Sequence, residues 1–415
     1  MIGGSHSKST STSTTGITSC NDLQPHEERL ASQRDSLCEE AVTTHAPDTT
    51  MKPAELAITE RATTLTASLG LMSNLRKPNG LAQYDITSEP QSMAGGDRGG
   101  LLVVSGFIKT GSSALIDLLR DQPGFHALLP EFKVFHGTGG IIELARSCDG
   151  DARDTRAALA ACRQRLLNAG RDRTPGYRLR TMLRGFLTSG ETPGHQRRAA
   201  YDRYLNRAYL PTLRRYFAEL QRELVSAERG EERLARLRSA TTEHFHALAR
   251  AVLPQDARIL LLNQTIKPSS DTVFGLSLLP EAHLIVVDRD PRDQYVELKR
   301  RGRLQSTIAR FWSPTGDSVH DFIRWYERRR HDAYGNGIAN HPRILVVRFE
   351  EFAGRPAVVL DRVFEWLGLE RPPEFALGPS FRFAEAANLV GMWQRYGEPQ
   401  AMARIRKELE DYCLP

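Results

Sequence analysis

The feature that most constrains this chain is a short apolar run followed directly by a glycine-containing loop and an amphipathic helical pattern. The apolar run is 101–104, the loop is 105–113, and the apolar residues of 114–120 have helical spacing. A strand that passes through such a loop into a helix turns backbone N–H groups and the helix N-terminus toward one point, which makes an anion site. A lysine inside the loop and hydroxyl groups at its end suit a phosphate.

The order of residues in this loop limits the class of phosphate ligand. Lys109 comes before the second glycine, Gly111, whereas the lysine of a Walker A sequence follows the last glycine. The order argues against an ordinary ATPase or GTPase and for another phosphate-bearing donor. The residues predicted to bind this donor through the loop are Gly106, Phe107, Ile108, Lys109, Thr110, Gly111, Ser112 and Ser113.

Further short apolar runs indicate the fold class. They lie at 258–262, 283–287 and 343–347, and helical patterns separate them. Continuous apolar runs of this length are typical of parallel strands that are buried on both faces. We therefore predict an α/β fold with a central parallel sheet flanked by helices, like that of the P-loop nucleotide kinases. Ligands of such sheets bind at the carboxyl ends of the strands, so the loops after these runs should line the site.

Two long segments lie outside this strand pattern. Residues 1–97 show little strand or helix patterning and are predicted to be a mostly disordered N-terminal extension of a domain that spans 98–415. Within that domain, residues 141–255 have helical periodicity and are predicted to form a large helical insert. The insert is rich in arginine, with thirteen Arg against three acidic residues in 163–215. We interpret it as a lid over the ligand site.

The composition excludes several classes of protein. The five cysteines are scattered and form no CxxC pair, which indicates neither a zinc site nor a disulfide framework, so no metal is predicted. No apolar run approaches the roughly 18–20 residues of a membrane span, and the N-terminus lacks the apolar core of a secretory signal. A cytoplasmic location fits these features. The net charge of +6 favours anionic ligands but does not by itself imply nucleic acid.

A second charged cluster follows the apolar run 283–287. It reads Asp288-Arg289-Asp290-Pro291-Arg292-Asp293. Pro291 suits the first turn of a helix, and Arg289 is a forked, always-charged donor that suits a phosphate. A capped helix start with a local ion pair is the plain alternative for the cluster taken alone. Together with the first loop, it indicates two phosphate-binding elements and therefore a bisphosphorylated ligand.

Four motifs in chain order resemble those of the sulfotransferases that use 3′-phosphoadenosine 5′-phosphosulfate (PAPS). The stretch 106–113 resembles their 5′-phosphosulfate loop, and 289–293 resembles their 3′-phosphate motif. The segments 345–369 and 391–396 resemble their later strand and helix and their closing Gly-x-Trp segment. The resemblance implies an enzyme that moves a sulfuryl group from PAPS to a hydroxyl and releases adenosine 3′,5′-bisphosphate (PAP), without a metal.

The resemblance also implies roles for single residues. Lys109 would stabilise the departing phosphate oxygen of the donor. Glu131 lies at the distance from this lysine at which the heparan-type carbohydrate sulfotransferases have their general base, and His136 is the alternative base. The segment 263–267 follows a predicted strand and is expected to reach the cleft, where Lys267 is a candidate contact for the sulfate.

At the second phosphate element, the chain departs from the family pattern. The resemblance implies that Arg289 holds the 3′-phosphate, and Lys299 is predicted to contribute. In the family, a serine that shares this phosphate follows the arginine by eight residues, whereas this chain has Glu297. A carboxylate would repel the phosphate unless it turns away or pairs with neighbouring cations, for which Arg300 and Arg301 are available together with Lys299.

The acceptor and the class of protein leave alternatives open. The placement of Glu131 favours a carbohydrate or glycolipid acceptor, for example a nodulation-type lipo-oligosaccharide, over a non-sugar small molecule or a peptide tyrosine. A nucleotide-dependent kinase is disfavoured by the position of Lys109 and by the lack of a clear Walker B acid after a strand. A nucleic-acid-binding protein that uses the arginines of 163–215 would leave both phosphate elements unexplained, so no nucleic-acid partner is expected.

Overall fold

A computed structural model describes residues 100–128, 131–171, 209–226, 230–372 and 377–415 of the chain. The predicted N-terminal extension and residues 172–208 of the arginine-rich stretch lie outside the described residues. The domain boundary at 97/98 therefore stays a prediction.

Five parallel strands form the central sheet of the described residues. They are β1 (Gly100–Gly106), β2 (Phe125–Leu128), β3 (Ile259–Asn263), β4 (Ala282–Asp288) and β5 (Ile344–Arg348). Their order across the sheet is β2-β3-β1-β4-β5, and every neighbouring pair is parallel. The predicted α/β class with a central parallel sheet is confirmed.

Four of these strands coincide with the apolar runs of the sequence, and β2 does not. All residues of β3 and β4 are buried, which explains their continuous apolar character. The strand β2 has four residues, lies at the edge of the sheet and buries only its first and last residue. Its short, partly polar sequence carries too weak a signal for a strand prediction.

Helices pack on both faces of the sheet. In chain order they are α1 (Ser112–Arg120), α2 (Ile141–Arg146), α3 (Ala152–Arg171), α4 (Leu210–Ser226), α5 (Glu231–Val252), α6 (Thr272–Ser277), α7 (Pro291–Arg300), α8 (Leu304–Ile308), α9 (Ser318–Tyr334), α10 (Phe349–Gly354), α11 (Pro356–Trp366), α12 (Phe383–Ala387), α13 (Met392–Tyr396) and α14 (Pro399–Glu408). No helix of the described residues combines the length and apolarity needed to cross a membrane.

The core is divided by the sheet into two layers. Alternate residues of the central strands face one layer, which includes Leu101, Val103, Leu260, Leu262, Leu284 and Val286. The residues between them face the other layer, which α1, α10 and α11 cover. This alternation follows from the pleat of the strands, which points successive side chains to opposite faces. A third cluster lies among α7, α8, α9, α13 and α14.

The segment 141–255 contributes to the first of these layers. Its described residues form α2 to α5 as the periodicity predicts, and Leu213, Leu237 and Leu248 are fully buried in the same cluster as the strand residues. These helices therefore cover one face of the sheet. The lid interpretation concerns the whole of 141–255, of which residues 172–208 lie outside the described residues, and it stays a prediction.

A buried ion pair lies beneath the carboxyl ends of β1 and β4. Arg330 of α9 is fully buried and donates to the carboxylate of Asp288, the last residue of β4, over 2.6 Å. Its guanidinium carbon lies 3.9 Å from the ring centroid of Phe107 and 3.5 Å from that of Tyr326. Because both rings present their faces to the cation, they stabilise its burial.

The same arginine connects the two loops that carry the predicted phosphate elements. It donates to Oε1 of Gln294 over 3.1 Å, and the amide of Gln294 donates to the carbonyl of Ile108. Asp288 also accepts from the hydroxyl of Tyr334 over 2.9 Å and from the backbone N–H of Arg289 over 2.8 Å. The loop after β1 and the loop after β4 are therefore held in one hydrogen-bonded network.

This burial predicts a large difference between two neighbouring arginines of α9. We expect Arg330→Met to lower the free energy of unfolding by about 3–5 kcal/mol, because it leaves the carboxylate of Asp288 buried without a cation. Arg328→Met is the matched control, since Arg328 is 70% exposed and pairs with Asp332 at the surface; its cost should stay below about 1 kcal/mol. Urea denaturation measures both values. Equal losses in the two variants would contradict the role of Arg330.

Candidate active site

The loop between β1 and α1 carries a row of unpaired backbone donors. The N–H groups of Lys109, Gly111, Ser112 and Ser113 make no hydrogen bond to any described residue, whereas Thr110 donates its N–H and hydroxyl to the carbonyl of Phe107. Lys109 and Gly111 have positive φ angles of 63° and 90°. Successive N–H groups in such a turn form a concavity that binds anions. Helix α1 follows without an acidic residue in its first turn, so its dipole adds to the attraction.

Two glycines allow this loop to lie tightly against its neighbours. A Cβ atom on Gly106 would collide with the hydroxyl of Thr110 and would lie 2.8 Å from the carbonyl oxygen of Val287. A Cβ atom on Gly111 would collide with the ring of Phe349, and its left-handed φ disfavours any side chain. Both glycines of the motif are therefore required by the close approach of backbone and ring.

Lys109 lies beside these donors and faces the second phosphate element. Its Nζ is 3.9 Å from Oε1 of Glu297, and its side chain is 26% exposed. Burial and the charge of Arg301 lower the pKa of Lys109 below its ordinary value, against the opposing effect of Glu297. The charge of Glu131 also raises the pKa of Lys109, which brings the predicted base into the same electrostatic neighbourhood.

The two candidate bases have different surroundings. Glu131 is an exposed carboxylate that pairs with Lys133, and its charge acts on both Lys109 and Lys267. His136 is partly buried, and its Nε2 accepts the backbone N–H of Lys267 over 2.9 Å. Burial and the charge of Lys267 lower the pKa of His136 to about 4, so its ring is neutral at neutral pH. The Nε2 lone pair, which a general base would use to accept a proton, is therefore already in a hydrogen bond with Lys267.

Cations without a carboxylate partner surround His136. Arg165 donates to the carbonyls of Thr138 over 2.9 Å and His136, and Arg329 donates to the carbonyl of Pro268 over 3.0 Å. Within the described part of the chain, neither arginine forms an ion pair with a carboxylate, and the same holds for Lys267. Burial and the charge of Lys133 lower the pKa of Lys267 to about 8. This group of Arg165, Lys267 and Arg329 is called the cation triad below.

The segment that follows β3 also reaches the loop, as its position after a strand predicts. Gln264 has a positive φ of 58°, and its side-chain amide donates to the hydroxyl of Ser112 over 2.7 Å. Its backbone N–H donates to the carbonyl of Val104 over 2.9 Å. The turn after β3 is therefore fixed against the end of β1. The side-chain amide of Gln264, which was predicted only to reach the cleft, also positions Ser112.

Arg289 is present at the predicted second phosphate element, but its charge is already matched. The side chain is 1% exposed, and Nη1 donates to the carbonyl of Lys109 over 3.1 Å and pairs with Glu297. Nη2 donates to the carbonyl of Leu389 over 2.6 Å. The ring of Phe349 lies 4.7 Å from the guanidinium carbon. The loop after β1 therefore offers unpaired donors to an anion, whereas the cation predicted to contact the 3′-phosphate is already paired with a carboxylate.

The remaining cations near Glu297 have three different partners. Arg301 lies 3.0 Å from Oε1 of Glu297, as expected for a charge that offsets the carboxylate. Lys299, predicted to contact the donor, instead pairs with Glu398 over 2.6 Å at the surface. Arg300 lies over the ring of Tyr396. Of the three candidates, only Arg301 contacts Glu297.

The other acidic residues of the motif hold the backbone. Asp290 caps α7 by accepting the N–H of Arg292 over 2.8 Å, next to Pro291 at the start of the helix. Asp293 accepts the N–H groups of Gly391 and Trp393, both over 2.9 Å, and so ties the Gly-x-Trp segment to the motif. These contacts explain why a run of charges follows a buried strand.

The sequence analysis missed Arg330 and Gln294, which connect the two loops. Arg330 is the last of three consecutive arginines, and such a run is typical of a solvated helix face. Its i,i+4 spacing to both Tyr326 and Tyr334 is the one signal in the sequence that points to a buried position. Among the described residues, no group of three or more His, Cys, Asp or Glu side chains is arranged to hold a metal ion.

Comparisons with known proteins bear on this arrangement. The profile described as "Sulfotransferase family" matches residues 102–373, well over half of the chain. A comparison with curated protein sequences gives no match. Among solved structures, the chain is similar to the sulfotransferase domain of the curacin biosynthetic pathway, with 13% identity, a TM-score of 0.38, and coverage of 76% of this chain and 99% of that one.

Two further structures give similar values. The sulfotransferase domain of the Synechococcus PCC 7002 olefin synthase has 15% identity and a TM-score of 0.38, with 76% of this chain and 94% of that chain covered. Sulfotransferase STF9 from Mycobacterium avium has 15% identity and a TM-score of 0.32, with 75% of each chain covered. The match of the family profile to residues 102–373 shows the family. The chain belongs to the sulfotransferase family and is an enzyme of the PAPS-dependent type.

Proposed function

We propose that this enzyme transfers the sulfuryl group of PAPS to a hydroxyl of a carbohydrate or glycolipid, with Lys109 and Glu131 as its catalytic residues. The observation that carries the proposal is the row of unpaired N–H groups of Lys109, Gly111, Ser112 and Ser113, next to the charged side chain of Lys109. A carboxylate base near the donor loop suits the weakly acidic hydroxyl of a sugar. A cytoplasmic location stays a prediction from the composition.

The proposed reaction is an in-line transfer. The acceptor oxygen forms a bond to sulfur while the bond from sulfur to the bridging phosphate oxygen of PAPS breaks. The hydroxyl proton passes to the carboxylate of Glu131, and the positive charge of Lys109 stabilises the negative charge that develops on the departing phosphate. The N–H groups of Gly111, Ser112 and Ser113 would hold the 5′-phosphate, so that positioning and charge neutralisation supply most of the catalysis.

A kinase is the less favoured alternative, for a reason that concerns Asp288. This residue ends β4 and is the nearest equivalent of a Walker B acid, but its carboxylate binds Arg330, Tyr334 and the N–H of Arg289. An acid bound in this way is not free to position a metal–nucleotide complex. The nucleic-acid alternative relied on 163–215, most of which lies outside the described residues.

Calorimetry on the purified protein tests the donor class. We expect PAP to bind and ATP to bind much more weakly, because the loop carries the lysine before its second glycine and so departs from the Walker A order. Tight binding of ATP without binding of PAP would reject the proposed function and would favour the kinase.

Substitution of the two candidate bases separates their roles. We expect Glu131→Gln to lower the turnover number by about 100-fold or more, the range in which general-base catalysis contributes, with PAP affinity nearly unchanged. His136→Gln is the control, because its amide oxygen can still accept the N–H of Lys267, and it should keep most of the turnover. Rates are measured by sulfate transfer from PAPS. The opposite pattern would transfer the role of base to His136.

The cation triad narrows the class of acceptor. Arg165, Lys267 and Arg329 are partly exposed and have no carboxylate partner in the described part of the chain, and they lie around His136, close to the proposed base. Burial and the charge of Lys133 lower the pKa of Lys267 most, and the charges of Arg165 and Arg329 add to this effect, because cations held close together repel each other. An anionic group on the substrate would relieve this repulsion. We therefore propose that the acceptor carries an acidic group near the reacting hydroxyl.

A paired acceptor screen tests the triad. We expect Arg329→Met to raise the KM for an acidic oligosaccharide by roughly tenfold, as for loss of one charge-assisted contact, while the KM for its neutral counterpart changes little. Arg328→Met is the control on the same helix, since its partner is Asp332 at the surface. Equal effects on acidic and neutral acceptors, including a neutral lipo-oligosaccharide, would contradict an acidic acceptor.

A further inference from the structure

Glu297 is a nearly buried carboxylate that is bound by three cations. It is 6% exposed. Oε2 pairs with Nη1 of Arg289, while Oε1 lies 3.0 Å from Nε of Arg301 and 3.9 Å from Nζ of Lys109. The carboxylate therefore lies between the two predicted phosphate elements, since Lys109 belongs to the first and Arg289 to the second. The carboxylate of Glu297 thus takes the place of a bound anion among these cations.

The three cations outnumber the single carboxylate, but the carboxylate is paired directly with Arg289, the cation that the 3′-phosphate would contact. Glu297 pairs with Nη1 of Arg289, which also donates to the carbonyl of Lys109, and Nη2 donates to the carbonyl of Leu389, whereas Nε has no partner among the described residues. A phosphate brought to Arg289 would meet a carboxylate at hydrogen-bonding distance from the same guanidinium. Like charges in such proximity repel each other strongly in a partly buried site. Either the carboxylate moves or the phosphate binds weakly.

Arg301, which directly follows α7, gives the carboxylate a partner that does not depend on Arg289. Arg301 follows Glu297 by four residues and is 55% exposed, so it lies on the solvent side of the carboxylate. Lys299 is engaged with Glu398 and does not compete for this role. A carboxylate that leaves Arg289 can therefore keep Arg301 as its partner, which limits the cost of its displacement.

We propose that Glu297 is a specificity-determining residue that competes with the donor's 3′-phosphate for Arg289. On donor binding, the carboxylate leaves Arg289 and keeps Arg301 as its partner. Because breaking the pair with Arg289 costs free energy, the 3′-phosphate binds less favourably than it would without Glu297. The difference in affinity between a nucleotide with a 3′-phosphate and one without it is therefore smaller than Arg289 alone would give. The inference rests on the proposed donor and on the proposed role of Arg289.

The test compares PAP with adenosine 5′-monophosphate (AMP), which lacks the 3′-phosphate. We expect Glu297→Ser and Glu297→Gln to raise the affinity for PAP by about tenfold or more, as removal of a like charge beside the phosphate implies, and to change the affinity for AMP less than about threefold. Glu243→Gln is the control, because Glu243 is an exposed partner of Arg250 on α5, and it should leave both affinities unchanged.

The outcomes separate this inference from the proposed function. If the wild type binds neither PAP nor AMP, the proposed donor is wrong. If the wild type binds PAP and both Glu297 variants keep the wild-type ratio of PAP to AMP affinity, or bind PAP more weakly, the competition is wrong and the donor stands. Glu297→Gln keeps the size of the side chain and a hydrogen-bond acceptor for Arg289, so it gives the answer if Glu297→Ser does not fold.

Discussion

The contact on which the rest of the site depends is the buried ion pair of Arg330 with Asp288. A guanidinium with no exposure to water is tolerated because a carboxylate, an amide oxygen and the faces of two aromatic rings surround it. The pair fixes the end of β4 against α9, and Gln294 extends the contact to the carbonyl of Ile108. The two loops after β1 and β4 therefore keep a constant separation, and a ligand that spans two phosphate elements needs such a separation.

The site combines free donors with cations that are already partly neutralised. At one element, the backbone N–H groups of Lys109, Gly111, Ser112 and Ser113 have no partner among the described residues, so an anion gains their full interaction. At the other, Glu297 balances Arg289 before any ligand arrives. Between them lies Lys109, whose pKa is lowered by burial and by Arg301 and raised by Glu297. The proposed enzyme thus binds the two ends of its donor by different means.

Three consecutive arginines show why local sequence is an incomplete guide to function. Arg328 is exposed and pairs with Asp332, Arg329 is partly buried and contacts the carbonyl of Pro268, and Arg330 is fully buried in the core. The three positions differ by 100° steps around one helix, so they face water, the cleft and the sheet in turn. Their chemistry is identical, and only the neighbours supplied by distant parts of the chain distinguish them.

The sequence alone determined the class of fold, four of the five strands, the glycine loop and the family, because buried parallel strands and tight phosphate loops require particular residues at adjacent positions. It also singled out Glu297 as the residue that departs from the family pattern. The tertiary structure decided which cation pairs with that carboxylate, that Nε2 of His136 accepts the backbone N–H of Lys267, and that Arg330 is buried. Those outcomes depend on contacts between residues far apart in the chain, for which neighbouring residues carry no signal.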